Sequence, residues 1–111
     1  MRRFNGLDIE VTQGDTLAFR VNLTGRELPP DTVGLFTIKQ RPKDEEVVVE
    51  KRVPVENGAV NIHLSSTDTD IQAKTYYWDL RIMMPIGDGS YTVVTPMEYA
   101  AFTTLEAIGN V

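Results

Sequence analysis

Apolar residues in this chain recur mostly at every second position. Residues 75–84 show it best: Tyr76, Trp78, Leu80, Ile82 and Met84 share one phase, and Tyr77, Asp79, Arg81 and Met83 the other. Successive side chains of a strand point to opposite faces, so this alternation predicts a strand with one apolar side. The single Trp of the chain lies mid-way along that side. The same period predicts a short strand over 7–11 (Leu7, Ile9, Val11) and a longer one over 16–23, with Leu17, Phe19, Val21 and Leu23 in phase. A strand over 32–40 carries Phe36 and Ile38, and one over 59–64 carries Val60, Ile62 and Leu64. Residues 91–95 and 99–105 supply the last two strands, on either side of Pro96-Met97-Glu98.

The breaks between these runs are turn chemistry. Gln13-Gly14-Asp15 and the glycine-rich stretch 85–90 mark loops. Pro29 and Pro30 exclude a central strand from 24–31. Residues 41–46 form a charged connection, and 47–55 mixes valines with charges and Pro54, as an edge strand does. Asn57-Gly58 is a hairpin dipeptide, because both residues tolerate positive φ. Only 65–74 lacks alternation. Ser66, Thr67 and Asp68 are N-cap types there, ahead of one helical turn over 70–74.

About eight short strands with turns every 8 to 12 residues predict an all-β, two-layer antiparallel sandwich of the immunoglobulin-like kind, with 7–8 strands. At 111 residues the chain makes one domain, 1–111, with its core in 6–105 and short frayed ends. The expected core is Leu17, Phe19, Val21, Phe36, Ile38, Val60, Ile62, Leu64, Tyr76, Trp78, Leu80, Ile82 and Phe102. Two readings of Tyr76 stand side by side. One is a tyrosine corner, whose hydroxyl bonds a backbone group a few residues upstream; the other is a plain core aromatic.

Composition narrows the chemistry. The absence of cysteine removes disulfides and thiolate catalysis. A net charge of −5 opposes nucleic-acid binding. Arg2 and Arg3 are read as a solvated tail, since no apolar run of signal-peptide or membrane-span length follows them. His63, the single histidine, falls on the outward phase of its strand and is expected at the surface rather than on zinc. Asp68 and Asp70 alternate as calcium ligands do, yet the glycine and distal glutamate of an EF-hand loop are missing, and capping explains them as well. Asp79 and Arg81 share a polar phase, with Asp8, Glu10 and Arg20 on neighbouring polar faces; a solvated ion-pair network accounts for them better than acid–base catalysis. There is no Gly-x-Ser-x-Gly, and Gly87-Asp88-Gly89 lacks the lysine of a phosphate loop. Tyr77, Tyr91 and Tyr99 are potential sugar-stacking platforms, whereas Trp78 is in phase with the core. No catalytic, cofactor-binding or metal-ligating residue is assigned, and no cofactor is expected.

The order of features resembles the small immunoglobulin-like domains of tail and baseplate proteins from phages and prophages of Gram-positive bacteria, above all the N-terminal domain of the baseplate upper protein family. The stretches that carry the resemblance are 13–21 (QGDTLAFRV), 35–39 (LFTIK), 60–65 (VNIHLS) with Thr67-Asp68-Thr69-Asp70, 76–82 (YYWDLRI), 92–95 (TVVT) and Ala101-Phe102-Thr103. Residues 96–99 depart from it, since a glycine turn is expected before the last strand. The resemblance implies a non-enzymatic virion structural part. It would be made in the bacterial cytoplasm and carried in the tail, pairing with other tail or baseplate proteins or with copies of itself as a trimer or hexamer. No nucleic-acid partner is expected, given the net charge, and no membrane partner, given the lack of a span-length apolar run. A carbohydrate-binding module and an immunoglobulin-like domain of a bacterial surface protein are the alternative expectations.

Overall fold

The computed structural model describes residues 2–5, 7–23, 28–95 and 99–108. Among them are nine strands: β1 (Arg2–Asn5), β2 (Asp8–Thr12), β3 (Leu17–Asn22), β4 (Val33–Lys39), β5 (Val49–Pro54), β6 (Ala59–Leu64), β7 (Thr75–Pro85), β8 (Tyr91–Val94) and β9 (Ala100–Leu105). One short helix, α1 (Ser66–Thr69), precedes β7. The large sheet runs β1-β2-β9-β7-β4-β5, with β8 also on β7; β3 and β6 make a two-stranded second layer. The protein is an all-β, two-layer immunoglobulin-like sandwich.

β7 is the spine. Its 11 residues pair with β4 along one edge, from Tyr77 opposite Lys39 to Met83 opposite Val33. Its other edge is shared: β9 takes Thr75–Trp78 and β8 takes Ile82–Pro85. Between the pairs Trp78–Ala100 and Ile82–Val94 lie residues 79–81 of β7; the break in alternation at Pro96-Met97-Glu98 lies outside the described residues.

The inward phase of each strand builds the core. Phe36, Ile38, Val60, Ile62, Leu64, Leu80 and Phe102 are fully enclosed, and Leu17, Tyr76, Trp78 and Ile82 nearly so. Phe19 and Val21, the two remaining expected members, pack half-buried against them. Phe19, Phe36 and Trp78 meet at ring-centroid distances of 5.5–5.9 Å. Such aromatic contacts add about 1 kcal/mol each beyond the area they bury. Trp78 Nε1 donates to Leu7 O at 3.0 Å, so the indole is buried with its one donor satisfied. Gly34 sits where β4 passes closest to β6. A methyl group there would meet both Val60 γ-carbons at 3.0 Å, so close approach of the two layers selects glycine.

The Asn57-Gly58 hairpin forms as its chemistry predicts. Both residues have positive φ, 52° and 71°, and Glu56 and Ala59 exchange both backbone hydrogen bonds. β5 lies at the sheet edge, as its charges and Pro54 suggest.

Four expectations change. Arg2 and Arg3 are not a solvated tail: their backbone is in β1, paired with Val11 and Glu10 of β2. The helical turn lies at Ser66–Thr69 rather than 70–74. Ser65 is its N-cap, accepting from Asp68 N at 3.1 Å, while the Asp68 carboxylate accepts from Ser65 N at 2.8 Å. This reciprocal capping box starts the helix earlier than the periodicity suggests. One pairing of the large sheet, β2 with β9, is parallel, so the sheet is not antiparallel throughout. The core also recruits Ile9 and Val11 of β2, with Val49, Ala59 and Ala100.

Candidate functional site

Two surface features stand apart from the rest of the sandwich, and both are built on β7.

The first is a trough on the outer face of the large sheet. The β4–β5 and β4–β7 registers align Glu50, Thr37 and Asp79 in one cross-strand row. The next row places Lys39 beside Tyr77, and a third places Leu35 beside Arg81. These side chains line a concave volume of about 170 Å³, closed at one side by Pro42 and Val47 and at the other by Tyr99. Tyr99 meets Tyr77 edge-on, with ring centroids 5.6 Å apart and planes at 87°. Arg81 Nε lies 3.7 Å from an Asp79 carboxylate oxygen, a loose pair on a partly exposed surface.

The second is the far end of the β7–β8 hairpin. All four residues of β8 are exposed, and Met83, Met84 and Pro85 opposite them are only half-covered. Tyr91, Val93, Val94 and Ile86 present apolar surface there, Val93 at 51% and Ile86 at 58% exposure. Of the half-covered residues, Met84 packs against the core cluster while the β8 side chains remain exposed. Among the described residues β8 pairs with β7 alone. Gly87 and Gly89 turn the tip at φ 91° and 88°. Asp88 stays below the usual carboxylate range because Ser90 donates to it from both its hydroxyl and its backbone N–H.

Asp79 and Arg81 meet in the trough; most other candidates from sequence are dispersed. His63 is exposed on β6. Asp68 serves the capping box and an ion pair with Lys51 at 2.9 Å. Burial alone would raise its pKa; the Lys51 ammonium and the Ser65 donors outweigh that and hold it below 3.8. Asp70 is the C-cap of α1. No group of three or more His, Cys, Asp or Glu among the described residues is arranged to hold a metal ion. Asp8 accepts from Ala101 N at 2.9 Å, tying β2 to β9, and Arg20 bonds Asn22 on its own strand. Of the three candidate tyrosine platforms, the fold brings Tyr77 and Tyr99 together and leaves Tyr91 on the hairpin end. Tyr76 resolves in favour of the corner, its hydroxyl donating to Gln72 O at 2.8 Å. The trough residues Thr37, Lys39 and Glu50 were not singled out from sequence. Their only signal is a polar outward phase, and which strands lie side by side cannot be read from it.

The fold defines the protein as an immunoglobulin-like β-sandwich. The chain matches no family model and no curated protein. Among solved structures it is similar to a Bacteroides vulgatus protein provisionally described as a glycoside hydrolase, at 15% identity and a TM-score of 0.45. That similarity covers 88% of this chain but 16% of the other.

Proposed function

We propose that this domain is a non-catalytic assembly module, a structural part of a phage or prophage tail or baseplate that works by protein–protein contact. The observation that carries the reading is the β7–β8 hairpin end. It presents apolar side chains on both faces and one strand edge without a partner among the described residues. Exposed apolar clusters of this kind mark contact surfaces, and an open edge accepts a further strand. Tyr91 suits such a surface, since tyrosine is enriched among the residues that dominate binding energy. The ordered resemblance to baseplate domains points the same way. No helix among the described residues is long and apolar enough to cross a membrane. The partners are other tail or baseplate proteins or further copies of this chain, in a closed ring of three or six.

The test is absolute mass by size-exclusion chromatography with light scattering over a concentration series, on wild type and on Val93→Lys. Val93 is half exposed, so lysine there leaves the fold intact. A defined oligomer for wild type, reduced to monomer by Val93→Lys at unchanged Tm, supports the reading. An oligomer indifferent to the substitution, or a wild type that is monomeric throughout, refutes self-assembly through this hairpin.

A further inference from the structure

We propose that the trough between Tyr99 and the β4–β5 connection binds a neutral saccharide ring. The inference is independent of assembly through the hairpin, because the trough sits over rows 77–81 of β7 and the hairpin end begins beyond them.

Shape, surface and charge each contribute. The volume is about 170 Å³. That accommodates one sugar ring and not a drug-sized ligand, whose pockets start near 300 Å³. Tyr99 is 57% exposed yet held by the edge contact with Tyr77, so an aromatic face stays presented at little cost in rotamer freedom. Such a face takes the C–H side of a pyranose. The polar floor is mixed. Asp79 and Glu50 accept hydrogen bonds, Lys39 and Arg81 donate them, and the Thr37 hydroxyl does both. Neighbouring sugar hydroxyls, each donor and acceptor, match such an array.

Charge decides among ligand classes. Two cations and two carboxylates line the trough, so it carries no net field for a phosphorylated or polyanionic ligand. Perpendicular aromatic rings also suit quaternary ammonium ions. The same balance of Lys39 and Arg81 against Asp79 and Glu50 gives the trough no net attraction for a cation, which leaves an uncharged polyol as the fitting occupant.

The experiment is an NMR titration of the ¹⁵N-labelled protein with methyl glycosides of glucose, galactose, mannose, rhamnose and N-acetylglucosamine. Tetramethylammonium chloride and inorganic phosphate serve as comparators. The expected result is saturable shifts of the Thr37, Asp79 and Ala101 amides with at least one glycoside, at a Kd in the millimolar range usual for a small ligand. Tyr99→Ala weakens that binding by about tenfold, Tyr99→Phe preserves it, and Tyr91→Ala on the hairpin leaves it unchanged. Tyr99 precedes β9 and is mostly exposed, so its variants fold. The proposal is overturned if none of the five glycosides moves these amides, if tetramethylammonium or phosphate moves them and the glycosides do not, or if Tyr99→Ala binds as wild type does.

Discussion

Removing one hydroxyl, by Tyr76→Phe, tests how the base of the sandwich is closed. The Tyr76 hydroxyl donates to Gln72 O at 2.8 Å, and the Thr104 hydroxyl donates to the same carbonyl at 2.8 Å. Burial pushes the phenol above its ordinary 10.0, so it remains a donor throughout the physiological range. A net hydrogen bond is worth about 1 kcal/mol, and an orphaned partly buried group costs about 1–3. Tyr76→Phe leaves the carbonyl with Thr104, so the loss is confined to about 1 kcal/mol. Thr104→Val costs more, about 2 kcal/mol, because Thr104 Oγ1 also accepts from Lys74 N at 3.2 Å and that donor loses its partner. In the double variant Gln72 O has neither hydroxyl. Its loss then exceeds the sum of the singles by about 1 kcal/mol, which is a coupling measurable in a double-mutant cycle. Urea unfolding followed by Trp78 fluorescence reads it. With a slope near 1–2 kcal/mol per M, Tyr76→Phe moves the midpoint by about 0.5–1 M. A Tyr76→Phe midpoint equal to wild type would show that Tyr76 acts only as an apolar ring and that the corner is idle; strictly additive losses would show that Gln72 O does not couple the two hydroxyls.

Gly34→Ala should cost about 1–3 kcal/mol in thermal or urea unfolding, because its methyl meets the Val60 γ-carbons at 3.0 Å and the layers must part; a neutral result would mean that the interlayer contact is loose. Gly58→Ala should cost about 1 kcal/mol through its φ of 71°, whereas Gly58→Asn should be milder. Asp68 has a folded pKa below its ordinary 3.8, so its contribution is complete above about pH 4 and is lost as the pH falls through the depressed value. Asp68→Asn should therefore lower stability by about 0.5 kcal/mol at pH 7 and flatten the acid limb below pH 4; an unchanged limb would show that the Lys51 and Ser65 contacts do not form in solution.

Strand existence and inward phase were legible wherever one face is buried. All thirteen expected core residues lie in or against the observed core, because a period of two across a two-layer fold leaves each strand a single choice of face. Small residues escaped that reading. Ala59 and Ala100 are enclosed by their neighbours rather than marked by their own hydrophobicity. β1 escaped because its partner is specified by backbone pairing, with no periodic pattern in four residues. The hairpin end misled in the opposite way. Residues 91–95 alternate like a core strand, but β8 pairs with β7 alone among the described residues and all four of its residues are exposed. The trough was invisible for a different reason. Glu50 and Asp79 are 29 positions apart, and only the two registers through β4 set them in one row.

The parallel pairing of β2 with β9 has a mechanical consequence. It sets Thr12 beside Leu105, and the antiparallel return of β1 brings Arg2 beside Val11 at that same end. Arg2 and Leu105 thus leave the sheet close together, about two strand spacings or ~10 Å apart. β7 runs the other way, from Thr75 beside Thr103 to Pro85 at the opposite pole of a body 49 Å long. Whatever is joined to either end of the chain is tethered at one pole, and the apolar hairpin points away from it. A pull on Arg2 would peel the edge strand β1 from β2 as a zipper opens, whereas a pull on Leu105 acts on β9, which is held between β2 and β7 and anchored by the enclosed Phe102.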